Sequence, residues 1–150
     1  MLKTLLCALV LGLASMTPMR SVAQAAPRAD ALSASDGRAV RAVVEAQLKA
    51  LAADQPAQAF AQAAPAIRSQ FGDAKVFMEM VRRNYPMLIK PASVSFFRPE
   101  VGEGGVIQAV HFRDRDGQLW RAVYQLQQQA DKSWRISGCA VAQDAEASTT

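Results

Sequence analysis

The stretch from Asp114 to Val141 constrains the fold more than any other part of this sequence. It reads as a turn, a strand, a second turn and a second strand. Asp116-Gly117 is a strong hairpin signal, because a two-residue turn needs positive φ angles that glycine adopts readily. The chain is therefore expected to contain an antiparallel sheet, and the residues before it are expected to cover one face of that sheet.

Helical periodicity precedes this sheet, and a two-residue alternation takes over after Pro91. Helix starts are predicted at four places, namely Ser33 or Ser35, Pro56, Pro65 and Asp73. Strands are predicted around residues 93–97, 106–113, 119–127 and 133–141. Helices followed by an antiparallel meander are typical of the α+β class. We predict one domain over residues 35–142, with N-terminal helices packed on a curved four-stranded antiparallel sheet.

The first 25 residues have the pattern of a cleaved secretory signal. Lys3 gives a positive start, Leu5–Ala14 is an apolar run, and Ala23-Gln24-Ala25 supplies the small residues of a cleavage site. The run has about ten residues, whereas a membrane-spanning helix needs roughly 20. We therefore expect cleavage between Ala25 and Ala26, and a periplasmic or secreted protein without a membrane anchor. Residues 26–34 are then a flexible lead and residues 143–150 a disordered tail.

Charge and residue counts exclude several classes of function. The net charge of +4 falls to +2 once Lys3 and Arg20 leave with the signal, and the remaining basic residues are interleaved with acids. Nucleic-acid binding, which needs a basic patch, is not expected. One histidine, His111, and one cysteine outside the signal, Cys139, do not make a zinc site. We expect no metal and no cofactor.

Several local phrases resemble a proteobacterial family of unknown function near the nuclear-transport-factor-two superfamily, and they cover most of residues 38–142. The phrases are Ala64-Pro65-Ala66-Ile67-Arg68 with Phe71-Gly72, Phe77-Met78 with Met80-Val81-Arg82-Arg83, Asp116-Gly117 with Trp120 and Tyr124, and Trp134-Arg135-Ile136-Ser137-Gly138-Cys139. The resemblance implies a cystatin-like cone. The superfamily contains isomerases, dehydratases and polyketide cyclases beside non-catalytic binding domains, and no catalytic residue is carried over.

His111 is the one residue that suggests acid–base chemistry. A two-residue Asp116-Gly117 loop would place it opposite Ala122, with Tyr124 as its diagonal neighbour on the same face. His111 with Tyr124, or with Tyr85, could then serve a small isomerase, dehydratase or hydrolase. Against this, the predicted strands carry no carboxylate in their middle to act as a general base.

The favoured hypothesis is a non-catalytic binding protein. Candidate residues for its pocket are those predicted to face a cavity under the helices, namely Phe77, Met80, Tyr85, Ala109, His111, Trp120 and Tyr124. The occupant would be a small apolar molecule or a protein partner, and a homodimer could form through the open face of the sheet. A bulge at Gly138 would turn Cys139 toward the core as a small buried hydrophobic residue; a reactive thiol or an intermolecular disulfide is the alternative.

Overall fold

The computed structural model describes residues 31–144. The predicted signal 1–25, its cleavage site, most of the lead and all but the first two residues of the tail lie outside this range. Within residues 31–144, four helices come first, α1 Ala34–Ala52, α2 Pro56–Ala61, α3 Pro65–Phe71 and α4 Ala74–Asn84, and a short 3₁₀ turn Pro86–Leu88 follows them. Five strands complete the described part of the chain, β1 Ser93–Phe96, β2 Glu100–Gly102, β3 Gly105–Arg113, β4 Leu119–Gln128 and β5 Trp134–Gln143.

Local capping explains where the helices begin. The Ser33 hydroxyl accepts the N–H of Asp36 at 3.0 Å at the start of α1, and the Asp73 carboxylate accepts the N–H of Lys75 at 2.7 Å at the start of α4. Pro56 and Pro65 occupy first helical positions, where the missing N–H has no helical partner to lose. The four predicted helix starts are confirmed.

The strands form one open antiparallel sheet in the order β1-β3-β4-β5, and β2 also pairs with β3. The α+β class is confirmed, with five strands instead of the predicted four. The extra strand arises because β1 and β2 lie one after the other along the same edge of β3. Gly105 begins β3 where a Cβ would meet the carbonyl oxygen of Leu126, so only glycine fits this close approach of two strands.

The hairpin between β3 and β4 has a loop one residue longer than predicted. The amide of Asp114 donates to the carbonyl of Gln118 at 3.0 Å, which leaves Arg115, Asp116 and Gly117 in the loop. Gly117 has φ 83°, the left-handed position at the end of a three-residue hairpin loop. The Asp114 carboxylate stabilises this longer loop by accepting the N–H groups of Asp116 at 3.0 Å and Gln118 at 2.8 Å.

The longer loop shifts the strand register by one residue. His111 pairs with Arg121, and Val110 pairs with Ala122. The prediction that His111 lies opposite Ala122 is therefore wrong. Because side chains alternate between faces, this shift places His111 and Ala109 on the outer face of the sheet, away from the helices.

The core lies between the helices and the inner face of the sheet. β3 and β4 contribute alternate residues to that face, and these are buried: Val106, Gln108, Val110, Phe112, Ala122, Tyr124 and Leu126. α1 and α4 cover them with Val40, Val44, Leu48, Leu51, Phe77, Met78 and Val81. One face of an antiparallel sheet is thus packed and the other is left to the outside, as is common for such sheets.

Two further sets of backbone hydrogen bonds involve β5 and the residue that follows it. The segment between α2 and α3 pairs with β5, because the N–H of Ala64 donates to the carbonyl of Ile136 at 2.8 Å and the N–H of Ile136 donates to the carbonyl of Gln62 at 2.9 Å. β5 also extends to Gln143, and the N–H of Asp144 donates to the carbonyl of Leu119 at 2.8 Å. The first residue of the predicted tail, Gln143, therefore belongs to the sheet, and the second, Asp144, is hydrogen-bonded to β4.

Candidate ligand-binding pocket

An apolar pocket of about 290 Å³ opens between the helices and the inner face of β4 and β5. The pairing of residues 62–64 with β5 holds α3 beside this part of the sheet, and α4 closes the opposite side. The lining residues are Gln47, Leu51, Ala63, Ile67, Gln70, Phe71, Phe77, Met80, Val81, Tyr85, Leu88, Tyr124, Ile136, Gly138 and Cys139. The pocket is at the lower end of the range of small-molecule sites.

An aromatic wall of Phe71 and Phe77, with Phe60 packed against it, forms one side of the pocket. The ring of Phe77 lies 5.4 Å from that of Phe60 and 5.5 Å from that of Phe71, and the second pair meets edge to face. These contacts join α2, α3 and α4 around the buried Phe77 side chain. The wall is therefore a packed surface whose shape does not depend on a single helix.

The pocket lining is uncharged. Within residues 31–144, no acidic or basic side chain lines the pocket, and its polar groups belong to Gln47, Gln70, Tyr85, Tyr124 and Cys139. The amide nitrogen of Gln47 donates to the carbonyl of Ala59 at 3.3 Å, which ties α1 to α2. Predominantly apolar walls with a few placed polar groups are typical of small-molecule sites.

Tyr124 is the most deeply buried polar group of the pocket. Its side chain is 0% exposed, and its hydroxyl oxygen has no hydrogen-bond partner among the described residues. Burial, together with the neighbouring Cys139 thiol, raises the pKa of Tyr124 well above its usual value of 10.0. Tyr124 therefore stays protonated and presents an O–H donor from β4.

Cys139 lies opposite Tyr124 because β5 contains a bulge. The register slips between Gln125, which pairs with Gly138, and Leu126, which pairs with Ile136, so one residue of β5 is extra. The predicted bulge at Gly138 is confirmed. The prediction that Cys139 is a buried hydrophobic residue is wrong, since its side chain is exposed within the open pocket. Apolar surroundings nevertheless raise the pKa of this thiol to about 12.

The Cys139 thiol is expected to react slowly although reagents can reach it. A thiolate is the reactive form, and a pKa of about 12 keeps it scarce at pH 8. Allowing for the higher nucleophilicity of a more basic thiolate, alkylation should be roughly 10²-fold slower than for free cysteine. The rate should rise about tenfold for each pH unit from 7 to 10. Quantifying the labelled Cys139 peptide by mass spectrometry checks this, and a plateau near pH 9 would contradict it.

The structure brings together four of the seven residues predicted to line a pocket. Phe77, Met80, Tyr85 and Tyr124 lie around the same cavity. Additional lining residues that the prediction missed come from α1 and α3, such as Leu51, Ile67 and Phe71. The spacing of Ile67 and Phe71, four residues apart on one side of a short helix, is the signal that could have indicated them.

Trp120 lies on the inner side of the sheet but away from the pocket. Its indole N–H donates to the Asp114 carboxylate at 2.8 Å, beside the 3₁₀ turn Pro86–Leu88. This bond is the main reason that the pKa of Asp114 is lowered from its usual value, with the loop amides adding to it. Trp120 thus supports the hairpin loop and the turn that packs near it.

Ala109 and His111 lie on the outer face, and His111 has an acidic neighbour there. His111 Nε2 is 2.8 Å from Asp144 Oδ2 and accepts the Nε–H of Arg121 at 3.1 Å. Arg121 Nη2 is 3.1 Å from the same Asp144 oxygen. The ring of Phe97 packs edge-on against His111, with centroids 4.6 Å apart. This acid, Asp144, follows β5 directly and does not lie in the middle of a strand, so it is not the mid-strand general base that the sequence was found to lack.

The proposed pairing of His111 with Tyr124 or Tyr85 does not form. Both tyrosines line the pocket on the inner face, and His111 lies on the other side of the sheet. Nε2 of His111 can donate to Asp144 only when protonated and can accept from Arg121 only when it is not. The histidine therefore belongs to a surface cluster with Arg121 and Asp144.

Residues 31–144 contain neither a candidate metal site nor a candidate membrane-spanning helix. Over that range, no group of three or more His, Cys, Asp and Glu side chains is placed to hold a metal ion. None of the helices in the same range is long and apolar enough to cross a membrane.

Comparison with known proteins gives a family match. A family model described as a domain of unknown function (DUF4864) matches residues 33–149. No curated protein and no solved structure matches the chain. The matched range contains every helix and strand described above.

Proposed function

The chain belongs to the family described as a domain of unknown function (DUF4864), and we propose that it binds a small apolar molecule in the pocket. The observation that carries the proposal is the open pocket of about 290 Å³ between packed helices and the sheet, with an uncharged lining among the described residues. A cavity of roughly 150 Å³ accepts one benzene ring. This pocket thus has room for a molecule of about two fused rings or an equivalent branched chain.

The binding is proposed to be non-catalytic. A general acid or base for the pocket would have to be one of its own polar groups, and these are two amides, two tyrosines and a thiol. The raised pKa values of Tyr124 and Cys139 leave both groups protonated near neutral pH. His111→Gln is accordingly expected to leave ligand binding unchanged, since His111 lies behind the sheet.

Export and fold family complete the proposal. The signal pattern of residues 1–25 supports a periplasmic or secreted protein, and sequencing the N-terminus of the exported protein should find Ala26. Helices that precede an open antiparallel sheet, with a pocket between the two layers, support placement in the nuclear-transport-factor-two superfamily with its cystatin-like cone. An experimental structure that failed to superpose on that cone would count against this placement.

Protection of Cys139 tests the proposed pocket directly. Naphthalene fits the estimated size, and its binding should cover the thiol and slow alkylation of Cys139 in proportion to occupancy. A matched control places the thiol on the other side of the same strand, by Ala140→Cys in a Cys139→Ser background, since Ala140 is exposed and pairs with Val123. Naphthalene should not slow labelling of that control. Equal effects on both thiols, or no effect on either, would contradict binding in the pocket.

A further inference from the structure

We propose that the natural ligand of the pocket is a neutral molecule with one hydrogen-bond acceptor, such as a carbonyl or ether oxygen, on an otherwise apolar body. This acceptor binds the Tyr124 hydroxyl. The inference rests on the proposed function of the pocket. Tyr124 lies on the inner face of β4 and its side chain is fully buried. It lines the pocket, and its hydroxyl has no partner among residues 31–144. An apolar ligand with one acceptor would therefore both fill the pocket and bind the hydroxyl.

The residues opposite Tyr124 do not satisfy its hydroxyl. Gln108 is its partner on β3; the Gln108 amide nitrogen donates to the carbonyls of Phe97 at 2.7 Å and Ala109 at 2.9 Å, and its buried Oε1, which also has no partner among residues 31–144, does not accept the Tyr124 hydroxyl. Those two bonds hold the amide toward the β1 edge. Cys139 is its partner on β5, and the thiol is near enough to affect the pKa of the hydroxyl, but a thiol sulfur is only a weak acceptor. A buried hydroxyl without a strong partner is unfavourable. A ligand that supplies an acceptor therefore gains more binding free energy than one that supplies only apolar surface.

The acceptor must reach Tyr124 past Cys139. The Cys139 side chain is exposed, whereas the Tyr124 hydroxyl oxygen is buried, so the acceptor reaches it only after a shift of neighbouring side chains. A single carbonyl or ether oxygen that projects from the end of an apolar body requires a smaller shift than a branched polar group does. The apolar body would then lie against the aromatic wall of Phe71 and Phe77.

A charged ligand does not suit this lining. Across the described chain, the pocket offers no acidic or basic side chain to pair with it. An unpaired charge moved from water into an apolar pocket is strongly unfavourable. The same surroundings disfavour ionisation of the thiol, whose pKa is raised to about 12. Fatty-acid anions and aromatic carboxylates are therefore expected to bind poorly, and neutral ketones, esters and ethers well.

Two ligands of equal shape test the inference. 2-Acetylnaphthalene carries a carbonyl where 2-isopropenylnaphthalene carries a methylene, so the ratio of their affinities reports on the acceptor. Tyr124→Phe removes the hydroxyl and keeps the ring, and Tyr85→Phe is the control for the other tyrosine of the pocket. Titration calorimetry on the full chain gives each affinity, and 2-naphthoate is the charged comparison.

The ratio of affinities for the ketone and the alkene should fall about 5- to 10-fold in Tyr124→Phe, as expected for one neutral hydrogen bond. The ratio should be unchanged in Tyr85→Phe. An equal ratio in the wild type and Tyr124→Phe would overturn the inference, while binding of both compounds would leave the proposed pocket standing. 2-Naphthoate binding as tightly as the ketone would overturn the requirement for a neutral ligand. No binding of either neutral compound would overturn both proposals.

Discussion

Ala122→Arg is expected to unfold the protein, whereas Ala109→Arg is expected to leave it folded. Ala122 lies in the middle of β4 with 0% exposure, and its Cβ faces the helices. An arginine there would bury an unpaired cation, which typically destabilises by roughly 3–5 kcal/mol or more. That is a large part of the total stability of about 5–15 kcal/mol of an ordinary domain.

Ala109 is an alanine on the neighbouring strand β3, and it occupies the opposite face of the sheet from Ala122. It pairs with Val123 on the outer face, beside a groove that also contains Glu100 and Arg121. An arginine there keeps its charge in water, so the change in unfolding free energy should stay within about 1 kcal/mol. Urea unfolding followed by circular dichroism measures both variants. The opposite ranking would restore the register with His111 opposite Ala122, and a folded Ala122→Arg would contradict the core.

The parts of the fold that the sequence predicts correctly depend on local contacts. Ser33 and Asp73 cap their helices with hydrogen bonds to residues two or three positions away, and Pro56 and Pro65 begin helices through their own backbone geometry. Such signals lie within a few residues of the feature that they determine. A reader of the sequence can therefore place all four helices without knowing the tertiary structure.

The strand register was not predicted correctly because the Asp114 side chain determines it. Asp116-Gly117 indicates a two-residue turn, but the Asp114 carboxylate accepts amides from the loop and pairs Asp114 with Gln118. A hairpin sequence does not reveal which of two neighbouring loop lengths such contacts favour. The one-residue difference moved Ala109 and His111 out of the candidate pocket.

Other parts of the site depend on contacts between residues far apart in the chain. Asp144 reaches His111 only because β5 continues to Gln143 and because the N–H of Asp144 donates to the carbonyl of Leu119. Cys139 faces an open pocket only because the segment before α3 pairs with Ile136. The bulge at Gly138 could be predicted, but the space beside it could not, because helix packing determines that space.

Cys139→Phe is expected to abolish ligand binding without unfolding the protein. The thiol is exposed in a pocket of about 290 Å³, and a ring that occupies roughly 150 Å³ would leave too little room for naphthalene. We expect the affinity for naphthalene to fall at least about 100-fold, which corresponds to a loss of about 2.8 kcal/mol of binding free energy. Phenylalanine suits a strand and fills existing space, so stability should be unchanged or rise by about 0.5–2 kcal/mol.

Ala140→Phe provides the matched control for this substitution. Ala140 is the next residue of β5, and it is exposed on the outer face opposite Val123. The same aromatic ring there should leave naphthalene binding unchanged. Ile67→Trp is a second variant that fills the pocket from α3, opposite Cys139. It should block binding independently, and so serves if Cys139→Phe fails to fold. Titration calorimetry and thermal unfolding separate the two effects: naphthalene affinity preserved in folded Cys139→Phe and Ile67→Trp would place the ligand outside this pocket.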